Sequence, residues 1–132
     1  MATIFTKIIN REIPAYIVAE DDQYIAFLDI MPLAKGHVLV VPKVEVDYIF
    51  DLEDNVLAGL HVFAKKVARA MDKTIKCTRI GVAVIGLEVP HVHVHLIPLR
   101  SMDDINFSRP KLKLSSEEMQ QIADTIKKGF DI

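Results

Sequence analysis

The chain has 132 residues, 51% hydrophobic and 26% charged, with 16 basic against 18 acidic side chains and a net charge of −2. This composition fits one folded domain with a sizeable core and excludes a largely disordered chain. There is no basic stripe or arginine cluster, which argues against a nucleic-acid partner and leaves a small charged ligand open.

The N-terminal Met1-Ala2-Thr3-Ile4-Phe5-Thr6-Lys7 lacks the basic region and apolar core of a signal peptide. No run approaches the roughly 18 apolar residues of a membrane span. The chain therefore reads as soluble and cytoplasmic, without a membrane partner. Cys77 is the only cysteine, so neither an intramolecular disulfide nor a cysteine metal cluster can form.

In chain order, Ile4, Phe5, Ile8, Ile9 and Ile13 have the spacing of one or two helical turns with a buried face, ended by Pro14. Residues 16–19 and 24–28 are β-rich runs joined by Glu20-Asp21-Asp22-Gln23, the pattern of a hairpin. Lys35-Gly36 signals a turn into a third strand, 37–41, stopped by Pro42. That run is apolar after His37, as in a central strand. His37 opens it at a strand end, where functional side chains often emerge.

The longest helix is predicted over 51–73, capped by Asp51 or Asp54, with Val56, Leu57, Leu60, Phe63, Ala64, Val67 and Met71 as its apolar stripe. His61 falls off that stripe as a solvated residue. Residues 79–85 form another strand, and 86–90 a five-residue link into the next, the mark of an antiparallel hairpin. Ser115-Ser116-Glu117-Glu118 is a capping box opening a last helix with Met119, Ile122, Ile126 and Phe130 on one face. The sum is a single α+β domain over 1–132: an antiparallel sheet of about five strands, a long central helix and a C-terminal helix.

The chemistry concentrates at His91-Val92-His93-Val94-His95-Leu96-Ile97-Pro98, which holds three of the five histidines. Strict alternation predicts a strand over 91–98 with the three imidazoles on one face and Val92, Val94 and Leu96 beneath. Alternate residues on a strand are about 6.6–6.8 Å apart, so the outer histidines lie roughly 13 Å apart. At zinc–nitrogen lengths of about 2.0–2.1 Å one ion could bridge two neighbours, while a site using all three is geometrically awkward. A two-histidine metal site completed by His37 or Glu88 stays open as an alternative. Nucleophilic catalysis uses the row better. An imidazole whose proton is taken by a carbonyl presents a lone pair, and His93, in the middle, has a partner on each side. His91 and His95 could then donate hydrogen bonds to the oxygens of a phosphoryl centre.

His-x-His-x-His followed by apolar residues resembles the motif of the histidine triad (HIT) family. The opening Thr3–Pro14, Ala26–Ile30 and Gly36–Lys43 resemble its Hint-like branch in the right order. The resemblance implies a HIT-like fold and a homodimer joined across its sheets. It implies a purine nucleotide or nucleotide conjugate as ligand, and hydrolysis or nucleotidyl transfer at the α-phosphate of phosphoramidate-type substrates through a nucleotidyl-His93. His37, His91 and His95 would support the phosphate and order the imidazoles. Asp29 matches the ribose-binding position, and Phe5, Ile8, Ile13, Phe27 and Ile30 match the apolar base pocket. A nucleotide-binding relative with little catalysis is the other reading, and a metal-dependent hydrolase a third.

The chain departs from the family pattern before the triad, where Gly86-Leu87-Glu88-Val89 replaces Gly-Gln-x-Val and Ala83 replaces a common asparagine. Glu88 is then either a general acid toward the leaving group or a solvated loop residue. Some bacterial relatives bind zinc through two cysteines and a histidine; Thr3, Thr6 and Glu45 hold those places here. No metal and no cofactor is expected. The resemblance thins over the C-terminal extension, 101–132.

Overall fold

The computed structural model describes residues 2–131. Five antiparallel strands form one sheet in the order β1-β2-β3-β5-β4. They are β1 (Ile17–Glu20), β2 (Tyr24–Leu28), β3 (Val38–Pro42), β4 (Arg79–Ala83) and β5 (Val94–Leu99). Three helices complete the fold: α1 (Ile4–Ile9), α2 (Asp54–Thr74) and α3 (Ser116–Lys128). Among the described residues, no helix is long and apolar enough to cross a membrane.

Side-chain alternation divides the core in two. On one face Ala26, Leu28, Val38, Val40, Val94 and Leu96 meet Leu60, Phe63, Val67 and Met71 of α2 and Met119, Ala123 and Ile126 of α3. Each of these side chains larger than alanine, fully buried, contributes about 1.5–3 kcal/mol, so this face carries most of the hydrophobic stabilisation. The opposite face gathers Ile25, Phe27, Leu39 and Val41 under Phe5 and Ile8 of α1. Because β2 and β3 are covered on both sides, they are apolar throughout, as the continuous run of β3 predicts.

Tyr24 anchors α2 to the sheet: its hydroxyl donates to the Val56 carbonyl at 2.9 Å. A Cβ on Gly59 would stand 2.1 Å from that hydroxyl, so the glycine makes room for the ring. Asp21 closes the first hairpin by accepting from the Gln23 and Tyr24 N–H groups, each at 2.8 Å. The Ser115 hydroxyl accepts from Glu118 N at 3.1 Å and caps α3 as the capping box predicts.

Three local expectations change. The cap position of α2 is Glu53, without a side-chain hydrogen bond, and residues 49–51 form a separate 3-10 turn. Asp54 instead lies in the first helical turn, where its charge complements the helix dipole. The link between β4 and β5 spans 84–93, longer than the five residues read from sequence. Pairing stops early because Val92 N donates to Val46 O, outside the sheet, and His91 N turns back to Val89 O, both at 2.8 Å. Of the three histidines only His95 lies within a strand. Phe130, placed on the buried face of the last helix by its spacing, is exposed in the turn that follows α3.

Candidate active site

Leu39 pairs with His95 across β3 and β5, which puts His95 on the face opposite α2 and α3. His91 and His93 reach the same side, while Val92 and Val94 pack in the helix-side core, as the alternation requires. The Phe5 ring presents its edge to both, with centroids 5.8 Å from His91 and 5.0 Å from His93. His93 and His95 are 5.0 Å apart by the same measure. All of these imidazoles and His37 are nearly enclosed, with exposures of 0% for His91, 1% for His37 and 7% for His93 and His95.

The hydrogen bonds assign the ring protons. His91 Nε2 faces the Pro42 carbonyl at 2.8 Å and must donate to it. Its Nδ1 is then an acceptor, served by the Thr3 hydroxyl at 2.9 Å. His93 Nδ1 lies 2.7 Å from the His91 carbonyl, so it carries the proton and leaves the lone pair on Nε2. No hydrogen bond engages that Nε2 among the described residues.

A second series runs through His37. Leu33 N–H donates to His37 Nδ1 at 3.0 Å, which puts the His37 proton on Nε2. His37 Nε2 in turn donates to His95 Nδ1 at 2.9 Å, leaving the His95 proton on Nε2. The turn that positions His37 depends on Gly36, whose φ of +92° suits glycine and whose Cβ would collide with Ile75.

Burial is the main cause of the electrostatics. It pushes His37 down to about 3 and His95 down to about 4, each helped by a neighbouring imidazole. Burial also lowers His91, against the opposing pull of the Pro42 carbonyl and Glu45. Asp29 rises above the usual carboxylate range, chiefly by desolvation. Its Oδ1 accepts from Met31 N at 2.9 Å, and its Oδ2 lies 3.6 Å from His37 Nε2.

These bonds weigh against a metal. Asp29, His37 and His95 each bring one donor atom within 4.8 Å of the others. Yet the Leu33 N–H occupies His37 Nδ1 and forces the proton onto Nε2, the atom an ion would need. Thr3, Thr6, Glu45 and His91 also converge, but as a hydrogen-bonded set. Thr6 Oγ1 donates to Glu45 Oε1 at 2.6 Å, and Thr3 N donates to the same oxygen at 2.9 Å. Two hydroxyls in place of thiolates are a poor zinc donor set.

The predicted residues are distributed as follows. Phe5, Ile8 and Phe27 share one apolar cluster with Ile25, Leu39 and Val41, and Ile13 packs against it. Ile30 does not join it and is 67% exposed. Glu88 is exposed on the 84–93 loop, near enough to Asp29 for its charge to add to the rise there. His61 is exposed on α2.

One expectation is corrected: His91 cannot donate to a substrate, because both ring nitrogens are already engaged. Phe107 was not foreseen. Its ring lies 4.8 Å from His95 and 6.5 Å from His37, edge-on to both. The C-terminal extension therefore forms a wall of the site, tied down by Leu112 N donating to Pro32 O at 2.9 Å. Nothing in the irregular sequence around 101–110 signals this role.

Together these features define an α+β protein whose histidine face offers one imidazole lone pair beside one imidazole N–H. Residues 10–102 match the family model of the HIT domain. A HIT-like protein of Borreliella burgdorferi is 36% identical over 128 residues, covering 91% of this chain and 92% of its own. The adenosine 5′-monophosphoramidase of Schizosaccharomyces pombe is 32% identical over 128 residues, 96% of each chain. The crystal structure of a Hit-like protein from Bartonella henselae superposes with a TM-score of 0.84 at 32% identity, covering 96% of this chain and 95% of that one. The chain belongs to the HIT family.

Proposed function

We propose that the protein is a purine-nucleotide hydrolase or nucleotidyl transferase acting at the α-phosphate of nucleoside phosphoramidate-type substrates, through a covalent nucleotidyl-His93. The observation that carries this reading is the bond from His93 Nδ1 to the His91 carbonyl, which leaves the Nε2 lone pair uncommitted. The phosphoramidase name of a relative matched along 96% of both chains supports the substrate class.

In the first step His93 Nε2 attacks phosphorus and the P–N bond of the substrate breaks. The leaving nitrogen takes up a proton on the solvent side, where Glu88 stands, and departs as the amine. In the second step water attacks the same phosphorus and releases a proton to solvent, the P–Nε2 bond breaks with its electron pair returning to His93, and the nucleoside monophosphate leaves. His95 Nε2–H donates to a phosphoryl oxygen throughout, with its direction maintained by His37. Asp29 serves the ribose hydroxyls, and the Phe5, Ile8, Ile13 and Phe27 face takes the base, with Ile30 at its edge.

The working unit in this reading is a cytoplasmic homodimer. Edge strand β4, with Val82 exposed, is available for joining two sheets. Sedimentation should give twice the chain mass.

The decisive experiment is mass spectrometry of protein quenched during turnover of an adenosine phosphoramidate. An adenylyl adduct on the peptide carrying His93 is expected, with activity unchanged by exhaustive chelation. Turnover without any adduct, or turnover lost on chelation, would overturn the covalent reading. Nucleotide binding with no turnover across a range of leaving groups would make this a binding protein instead.

A further inference from the structure

Resting on the reading of His93 as nucleophile, we propose that Thr3 is a positioning residue. Its hydroxyl holds the His91 ring, and thereby the His91 carbonyl that fixes the His93 proton. The argument starts from proton counting. Thr3 Oγ1 has one proton and three polar neighbours: Thr6 N at 3.1 Å, which makes it the α1 cap, Thr6 Oγ1 at 3.3 Å and His91 Nδ1 at 2.9 Å. Thr6 N–H can only donate to it. Thr6 Oγ1 spends its own proton on Glu45, which as a carboxylate can only accept. The Pro42 carbonyl likewise takes the proton on His91 Nε2. His91 Nδ1 then needs a donor. Thr6 Oγ1, 3.5 Å away, has its proton on Glu45. Thr3 Oγ1 lies nearer to His91 Nδ1 at 2.9 Å than to Thr6 Oγ1 at 3.3 Å, so the Thr3 proton points to His91.

Glu45 thus acts on His91 through Thr6 and Thr3. It accepts from the Thr3 N–H and the Thr6 hydroxyl, and these bonds hold its carboxyl below the usual range. The consequence reaches the reacting atom through the backbone. The carbonyl that accepts from His93 Nδ1 belongs to the residue whose ring is clamped between Thr3 and Pro42. The same short helix carries Phe5, whose ring borders both imidazoles. Thr3 therefore has two duties: it caps α1, and it ties α1 to the histidine row.

The two duties separate by substitution. Thr3→Val removes the cap acceptor and the donor. Thr3→Ser keeps both. Thr3→Asp keeps the cap acceptor and, as a carboxylate, has no proton to donate. Positioning predicts that kcat for an adenosine phosphoramidate falls roughly ten- to hundredfold in both Thr3→Val and Thr3→Asp. KM should change little, and Thr3→Ser should restore most of the rate. Nitrogen-15 NMR of the histidine rings gives a readout independent of turnover. It should show His91 protonated on Nε2 alone in the wild type and with Thr3→Ser, and altered protonation with Thr3→Asp.

If Thr3→Asp matches the wild type in kcat and in both ring tautomers, Thr3 is only a helix cap and the proposal fails. If no His93 adduct forms in the wild type, the functional reading fails, while the ring tautomers still test whether Thr3 holds His91.

Discussion

The two ends of the histidine row are held neutral by the same means, burial, but are anchored by different chemistry. At the His91 end the anchors are hydroxyls and a carbonyl, with Thr3 on one ring nitrogen and Pro42 on the other, so the ring is closed to ligand. At the His95 end the anchors are an amide and a second imidazole, Leu33 to His37 to His95, and the series ends on a free N–H. One end positions a carbonyl and the other delivers a proton donor. His93 lies between them and takes its lone pair from the first and its neighbouring donor from the second. The comparison shows that three identical residues at equal spacing present three different faces: a closed ring at His91, a free lone pair at His93 and a free N–H at His95.

Breaking the centre should have the largest effect. His93→Ala is expected to lower turnover at least about a thousandfold and abolish the adduct, because the attacking atom is gone. Circular dichroism and nucleotide titration should stay close to wild type, and turnover on the phosphoramidate would remove the nucleophile assignment. Removing the relay comes next. His37→Ala leaves buried His95 Nδ1 without its donor, at a cost of about 1–3 kcal/mol, or roughly a ten- to hundredfold loss in kcat. A stopped-flow measurement of adduct formation checks this, and an unchanged rate would mean that His95 needs no partner to point its N–H.

The wall at the same end gives a smaller effect. Phe107→Ala admits water to His95 and His37, whose low values come first from desolvation. His95 should then titrate above about 4, toward the ordinary imidazole value, while His91, at the other end of the row against Phe5, should not move. An NMR titration of the ring protons separates the two ends directly.

The smallest effect is on stability. His37 and His95 have folded values below the unfolded value near 6.5, so between 6.5 and about 4 the unfolded chain binds more protons. Their contribution is complete above pH 6.5 and is lost as pH falls toward 4 and then 3. Asp29, raised in the fold, acts oppositely: its protonation favours the folded state as pH drops. Since three lowered histidines, His91 included, oppose one raised carboxylate, Tm is expected to fall by several degrees between pH 7 and 5. A calorimetric series with His37→Ala as reference, flatter over that range, checks the sign.

Much of this was legible in advance because it depends on periodicity. Alternation in 91–98 puts Val92, Val94 and Leu96 beneath the histidines as that pattern demands, and the unbroken apolar run of β3 marks a central strand covered on both faces. The stripe on α2 and the capping box of α3 likewise follow from local spacing. The strand predicted over 91–98 begins only at Val94. Alternation reports which way side chains point, but not whether the backbone N–H groups find a neighbouring strand, and Val92 N finds Val46 instead.

The sequence by itself determined the α+β class, the face that carries the histidines and the family. Each of these is written in residue type and spacing along a continuous segment. Only the tertiary structure decided what each histidine can do, because a ring nitrogen becomes donor or acceptor according to the atom opposite it. For two of the three those atoms come from far along the chain: Thr3 and Pro42 for His91, and His37 for His95. A motif of three histidines names the chemistry, and the packing of Thr3, Pro42 and the 29–37 turn around it assigns the protons.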